Sequence, residues 1–168
     1  MFLLKFFGTY LLLALVYHGY LSQFDEDKPD GITQFVAQQT HSLLQLFGRN
    51  SAIAVHETEP CVKLFLDNIY LARIIEGCNA VSVMILFVAF VIAFKGKLKT
   101  TLLYIVAGIA IIHILNILRI ALLVIALKNY PEYEHLLHGV IFPLFIYGVV
   151  FLLWVLWVQK FSDHAKSS

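Results

Sequence analysis

Long apolar runs constrain the fold of this chain more than any other feature of its sequence. Four segments are almost entirely apolar, at about 6–21, 75–94, 101–127 and 138–158. Each is close to the roughly 20 residues that cross a hydrocarbon core of about 30 Å. Charged residues make up only 14% of the chain, against about a quarter in a soluble domain. The sequence therefore predicts an all-α fold, a polytopic membrane helix bundle with about four transmembrane helices.

The polar stretch between the first two runs has a pattern of its own. An acidic linker, "DEDKPDG", is followed by apolar residues at helical spacing: Ile32, Phe35, Val36, Leu43, Leu46 and Phe47. This pattern predicts an amphipathic helix that lies on the membrane surface and ends at Gly48. The next segment, "SAIAVHETEPCVKLFLDN", predicts two short strands around a turn at 57–60. We expect both elements to belong to one small external segment.

Lysine residues predict the orientation in the membrane. The loop "KGKLK" at 95–99 joins the second and third runs, and Lys5, Lys160 and Lys166 fall on the same side in a four-helix topology. The positive-inside rule places that side in the cytoplasm. The domain prediction is a first transmembrane helix at 1–21, an external segment at 22–73, a three-helix catalytic core at 74–160 and a cytoplasmic tail at 161–168.

Two further observations complete the prediction for the membrane segments. The first run ends in "HGYLSQF" without a small-x-small cleavage site, so we expect a retained helix instead of a cleaved signal peptide. Trp154 and Trp157 stand near the end of the fourth run, as in an interfacial aromatic belt. The expected partner is the lipid bilayer, and a net charge of +1 gives no support for nucleic-acid binding.

Reactive or charged side chains occur at a similar depth in three of the runs. Counted from the cytoplasmic end of each run at about 1.5 Å per residue, Cys78, Arg119 and His138 lie roughly 24, 27 and 30 Å up. A charge inside a spanning segment costs a few kcal/mol and usually marks a functional site. Asn116 lies one turn from Arg119 and is expected to orient its guanidinium, whereas His113 is expected to be structural. These residues predict a site near the outer face of the membrane.

The chemistry of acyl transfer requires these residue types together. A thiol becomes a strong nucleophile once ionised, which a neighbouring cation favours, and Glu76 and Asn79 flank Cys78 in the sequence. A histidine can protonate the leaving amine, and an arginine can neutralise the oxyanion that forms at the attacked carbonyl. His135 is the alternative to His138 as the acid. No metal site and no cofactor is expected, because one Cys and two His at this depth do not make a zinc site.

Three stretches carry a resemblance to a known family. "EGCNAVSV", "NILRI" and "LLHGVIFPLFIYGVVFLLWVLWV" resemble the exosortase/archaeosortase family, and the "EGCNA" form and the last stretch resemble its type F branch. The resemblance implies a membrane cysteine protease or transpeptidase in the bacterial inner membrane, with its active site facing the periplasm. Its implied substrates are exported proteins with C-terminal sorting signals, made of a short motif, a membrane helix and a basic tail.

The resemblance also implies a role for each site residue. Cys78 is the implied nucleophile, Arg119 the transition-state stabiliser and His138 the acid/base. Many relatives are larger than this chain, and relatives often show a His followed four residues later by Gly, a spacing that His135 and Gly139 have here. His135 therefore remains the alternative.

Two other classes of function stay open at this point. In a non-catalytic membrane assembly subunit, the polar residues would only connect helices. In a thiol oxidoreductase, Cys61 and Cys78 would act together, and the two could also form one disulfide in an oxidising compartment. The oligomeric state has no signal in the sequence.

Overall fold

A computed structural model describes residues 1–94 and 96–162. Lys95 of the predicted cytoplasmic loop and residues 163–168 of the predicted tail lie outside the described residues. Most of the described chain is helical, and the main helices are α1 (Phe2–Leu21), α2 (Gly31–Leu46), α3 (Val81–Ala93), α4 (Leu98–Asn129), the single turn α5 (Glu134–Leu136) and α6 (Phe142–Leu156). A 3₁₀ turn at Pro131–Tyr133 precedes α5, and π-helical turns at Leu137–Ile141 and Trp157–Phe161 flank α6. The all-α prediction is confirmed.

Three of these helical segments are long and apolar enough to cross a membrane: Phe2–Leu21, Leu98–Asn129 and Pro131–Phe161. The predicted second span gives α3, whose 13 residues rise about 20 Å. Its predicted start near Ile75 was wrong, because residues 76–78 form a 3₁₀ turn and Ala80 has a left-handed φ of 63°. A right-handed helix cannot continue through a residue with that backbone conformation, so α3 begins after Ala80, at Val81. The chain is a helical membrane protein with one short apolar helix beside its long ones.

A small antiparallel sheet forms from β1 (Ser51–Val55), β2 (Val62–Leu66) and β3 (Ile69–Ile74), in that order across the sheet. The sequence predicted the first two strands and not the third. Asp67 and Asn68 connect β2 to β3 with φ of 52° and 64°, the positive values that a two-residue hairpin turn needs. The pairing of β2 with β3 is irregular between Leu64 and Phe65, which leaves Leu71 as an extra residue in β3.

The described chain divides into two compact units, and 21–79 together with 114–144 form the one that contains the predicted site. Its core lies between α2, the sheet and the end of α4, and its fully buried members include Val36, Leu64 and Val124. Alternate residues of β2 face this core, because successive side chains of a strand point to opposite faces. An ion pair between Lys128 and Asp67 connects the end of α4 to the β2–β3 turn.

Helix α2 forms where the sequence predicts a helix, and its placement on the membrane surface stays a prediction. Its buried residues are Thr33, Val36, Ala37, Thr40 and Leu44, whereas Phe35, Leu46 and Phe47 of the predicted apolar face are at least half exposed. A threonine can be buried in a helix once its hydroxyl is hydrogen-bonded, and Thr40 Oγ1 donates to the Val36 carbonyl at 2.8 Å. The sequence pattern predicted the helix, but not the face that packs on the sheet.

The other unit consists of the described residues of Met1–Tyr20, Ala80–His113 and 145–162. Aromatic rings form much of its interior: Phe90 stacks on Trp154 with ring centroids 4.3 Å apart, and Tyr104 lies 4.9 Å from Trp157. Trp157 is fully buried. Its ring packs against Tyr104 within the unit, and its place in an interfacial aromatic belt stays a prediction.

Candidate functional site

Cys78 lies at the end of the turn that follows β3. Its backbone N–H donates to the Ile75 carbonyl at 2.8 Å, and the N–H of Asn79 donates to the Glu76 carbonyl at 3.1 Å. The thiol is therefore carried by a tight turn ahead of α3, not by the helix itself. The side chain of Cys78 is partly exposed and packs at the margin of the unit's core.

A buried chain of hydrogen bonds holds this turn from the side of α2. Asn79 Nδ2 donates to Thr33 Oγ1 at 3.2 Å, and Thr33 Oγ1 donates to Asp30 Oδ2 at 2.5 Å. Asp30 also caps α2, accepting from the backbone N–H groups of Ile32 and Thr33. Asp30, Thr33 and Asn79 are each at most 4% exposed. Because a buried polar group is costly without a partner, this network fixes the position of the residue after Cys78.

Asn116 of α4 holds the same turn from the other side. Its Nδ2 donates to the backbone carbonyl of Cys78 at 2.7 Å, and its Oδ1 accepts from Arg119 Nη1 at 3.3 Å. The side chain is fully buried. The sequence predicted the contact with Arg119 but not the one with Cys78. One amide thus connects the backbone of the thiol-bearing residue to the guanidinium one helical turn away.

A pocket of about 250 Å³ opens beside Cys78. Arg119 and His138 line it together with Cys78, so the structure brings the three predicted residues to one cavity. Ile120, Leu123 and Leu127 of α4 give it an apolar lining, and the stretch 71–75 also lines it. The π-helical turn at Leu137–Ile141 carries His138, and such turns occur often at functional sites.

Two other predicted residues occupy less central places. His135 is exposed, as His138 is, and Glu76 is half-buried. His135 and Glu76 do not belong to the described lining of this pocket, whereas His138 does. Glu134 does line it, although the sequence did not single it out. The signal was available, since Glu134 and His138 are four residues apart and therefore on one helix face. His113, expected to be structural, lies in the other unit.

The polar rim of the pocket includes a second arginine. Arg73 of β3 lines the pocket and its Nη1 contacts Glu59 Oε2 at 2.8 Å. The cavity therefore has arginine and histidine side chains near the thiol and a carboxylate, Glu134, on the same helical segment as His138. This combination offers a nucleophile, an acid and charge stabilisation in one place.

The two cysteines differ in their surroundings, and both are free. Cys61 is fully buried at the start of β2. Burial and the neighbouring Glu59 carboxylate raise the pKa of the Cys61 thiol, since both disfavour the thiolate. The protonated form of Cys61 is a weak nucleophile.

A second group of side chains has the types that bind metals. His56, Glu59 and Cys61 place their ligand atoms within 4.8 Å of one another, and zinc binds imidazole, carboxylate and thiolate ligands. The Glu59 carboxylate already contacts Arg73, so a cation at this position would compete with the guanidinium. The absence of a metal site, expected from the sequence, stays a prediction.

Comparison with known families identifies the chain. Residues 2–158 match the family described as transmembrane exosortase (Exosortase_EpsH). The chain belongs to the transmembrane exosortase family. With three helices able to span a membrane, this exosortase is a multi-pass membrane protein associated with the lipid bilayer. No curated protein and no solved structure matches the chain.

Proposed function

We propose that this exosortase is a cysteine transpeptidase or protease that cleaves the C-terminal sorting signals of exported proteins. The observation that carries the proposal is the shared pocket of Cys78, Arg119 and His138. The residue motifs favour the type F branch of the family. The lysine distribution favours an active site on the outer face of the bacterial inner membrane.

The reaction begins with attack of the Cys78 thiolate on the carbonyl carbon of the scissile peptide bond. The carbon–sulfur bond forms as the carbon–nitrogen bond breaks, and His138 gives its proton to the departing amine. Arg119 balances the negative charge on the carbonyl oxygen during the attack. Water or an amine then attacks the thioester, His138 accepts a proton from it, and the Cys78 thiolate leaves as the carbon–sulfur bond breaks, which restores the starting thiolate and protonated histidine.

The contacts of Asn116 support the roles of its two neighbours. A catalytic group must be held close to its productive geometry. Asn116 fixes the Cys78 carbonyl at 2.7 Å and contacts the Arg119 guanidinium at 3.3 Å. The thiol and the guanidinium are therefore positioned by one buried side chain and do not depend on the substrate for their relative placement.

Processing in cells tests the proposal. The exosortase is co-expressed with an exported protein that ends in a short motif, a membrane helix and a basic tail, and its shortening is followed by gel and mass spectrometry. Cys78→Ala is expected to abolish processing, and His138→Ala to slow it at least about 100-fold. Cys61→Ser and His135→Ala are the matched controls and are expected to leave it unchanged.

Different results identify the other classes of function. Processing at the wild-type rate by Cys78→Ala would overturn the proposal and favour a non-catalytic assembly subunit. Loss of function in Cys61→Ser as well would favour a thiol oxidoreductase. Loss in His135→Ala with full activity in His138→Ala would assign the acid to His135. An acyl adduct on Cys78, trapped from the substrate and located by mass spectrometry, would identify the intermediate directly.

A further inference from the structure

Strand β3 has a hydrogen-bonding edge that faces the candidate site. The order of the sheet is β1-β2-β3, so β3 has one strand neighbour, β2, among the described residues. Five consecutive residues at 71–75 line the pocket, and the chain reaches Cys78 three residues later. The side of β3 that is not paired with β2 therefore borders the cavity that contains the thiol.

An outer strand is a template for another strand. Its outward N–H and C=O groups have no ladder partner, and an extended peptide can pair with them. At about 3.3 Å per residue, residues 71–74 at the end of β3 span roughly 10 Å, a length that matches about four residues of an extended peptide. The irregularity opposite Leu64 and Phe65 increases local twist, a feature that is frequent beside active sites.

The apolar residues of α4 that line the pocket suit the side chains of such a peptide. Ile120, Leu123 and Leu127 of α4 are apolar and face the cavity. A strand lying on β3 would direct alternate side chains to either face of the extended sheet, and one set would meet the α4 wall. Arg73 and Glu134 supply charged groups at the margin for polar residues of the peptide.

We propose that the substrate binds as an extended strand on the free edge of β3, which aligns its scissile carbonyl with Cys78. This inference rests on the proposed function and names how the peptide is held. Recognition then comes mainly from the substrate backbone, with apolar side chains selected by the α4 wall. The segment before the substrate's membrane helix must be extended and must lack proline at the paired positions.

Proline substitutions in β3 test this arrangement. Beyond the irregular position, successive N–H groups of a strand point to opposite sides, so one of Ala72 and Arg73 donates toward β2 and the other toward the free edge. Ala72→Pro and Arg73→Pro therefore remove different donors. The variant that keeps the wild-type melting temperature in detergent has lost the outer donor. Ala72→Gly and Arg73→Ala are the side-chain controls.

The outer-donor variant is expected to process substrate at least ten-fold more slowly, with unchanged alkylation of Cys78 by iodoacetamide. Wild-type processing by that variant, in a reaction that Cys78→Ala still abolishes, would overturn the strand-edge inference and leave the proposed function standing. Wild-type processing by Cys78→Ala would remove the proposed function instead. If the outer-donor variant had a lower oligomeric mass than wild type by light scattering, a second copy of the chain would occupy this edge, and the inference would also be overturned.

The substrate provides a second arm that does not depend on how well β3 tolerates proline. N-methylation is introduced one residue at a time before the scissile bond of a synthetic substrate peptide whose cleavage requires Cys78. An alternating pattern of blocked and tolerated positions is expected, because only every second N–H of an extended strand faces β3. Uniform tolerance of N-methylation would contradict pairing with the edge.

Discussion

The buried amide of Asn116 gives the sharpest test of how the site is built. Asn116→Leu removes the donor to the Cys78 carbonyl at 2.7 Å and the acceptor for Arg119 at 3.3 Å. A buried carbonyl left without its donor costs about 1–3 kcal/mol. The hydrogen bond to Arg119 is longer than the usual charge-assisted distance, so its loss adds less to the destabilisation. We therefore expect a loss of about 1–3 kcal/mol in the free energy of unfolding.

The measurement is thermal unfolding in detergent, followed by tryptophan fluorescence. For a chain of this size about 1 kcal/mol lowers Tm by about 2–4 °C, so the expected decrease is about 2–12 °C. Asn129→Leu is the matched control, since Asn129 is exposed near the end of the same helix and donates to the Ile125 carbonyl at 3.0 Å. Its effect is expected to stay within about 0.5 kcal/mol.

Function provides the second readout of the same substitution. Without Asn116, the turn that carries Cys78 loses its hydrogen bond to α4, and we expect Cys78 to react with iodoacetamide at a different rate. Processing is expected to fall because the thiol and Arg119 lose their common support. If Asn116→Leu matched wild type in Tm, in Cys78 reactivity and in processing, the amide would have no positioning role and the reasoning would be refuted.

Two further predictions concern packing and thiol reactivity. A Cβ at Gly108 would overlap the buried ring of Phe87, whereas Gly148 has open space around it. Gly108→Ala is therefore expected to destabilise the protein by about 1–3 kcal/mol, and Gly148→Ala to be neutral or stabilising by about 1 kcal/mol. The measurement is Tm in detergent for both variants. Cys61 is fully buried and its pKa is raised, so below pH 9 iodoacetamide should modify Cys78 first by peptide mass mapping. Faster modification of Cys61 than of Cys78 would contradict the prediction that Cys78 is the more reactive thiol.

The long helices were predictable because lipid imposes a strong and local rule on their sequences. A span needs about 20 apolar residues in one run, and α1 and α4 satisfy that requirement in the sequence alone. Strand β3 was missed because "IYLARI" is a short apolar run directly ahead of a longer one, and periodicity alone does not separate such a strand from a helix. The pair Asp67 and Asn68 between two apolar runs was the available hairpin signal.

The identities of the pocket residues were easier to predict than their supports. Cys78, Arg119 and His138 stand out because each is chemically unusual in its apolar surroundings. Asn79 stood out beside Cys78 in the sequence, but its partner Thr33 did not, since their hydrogen bond joins residues 46 positions apart. Asn116 and Cys78 are 38 positions apart. Contacts of this kind depend on tertiary packing, which no local pattern in the sequence encodes.

The two supports of Cys78 have a consequence for the segment between the first two apolar runs. One support begins at the cap of α2, through Asp30 and Thr33, and the other belongs to α4. A wall of the pocket comes from β3, which the sheet positions through its pairing with β2. The stretch between the first two apolar runs therefore contributes both a support of the thiol-bearing turn and the proposed surface for the peptide. Loss of the Thr33 hydroxyl, some distance along the chain from Cys78, should for this reason affect processing as well as stability.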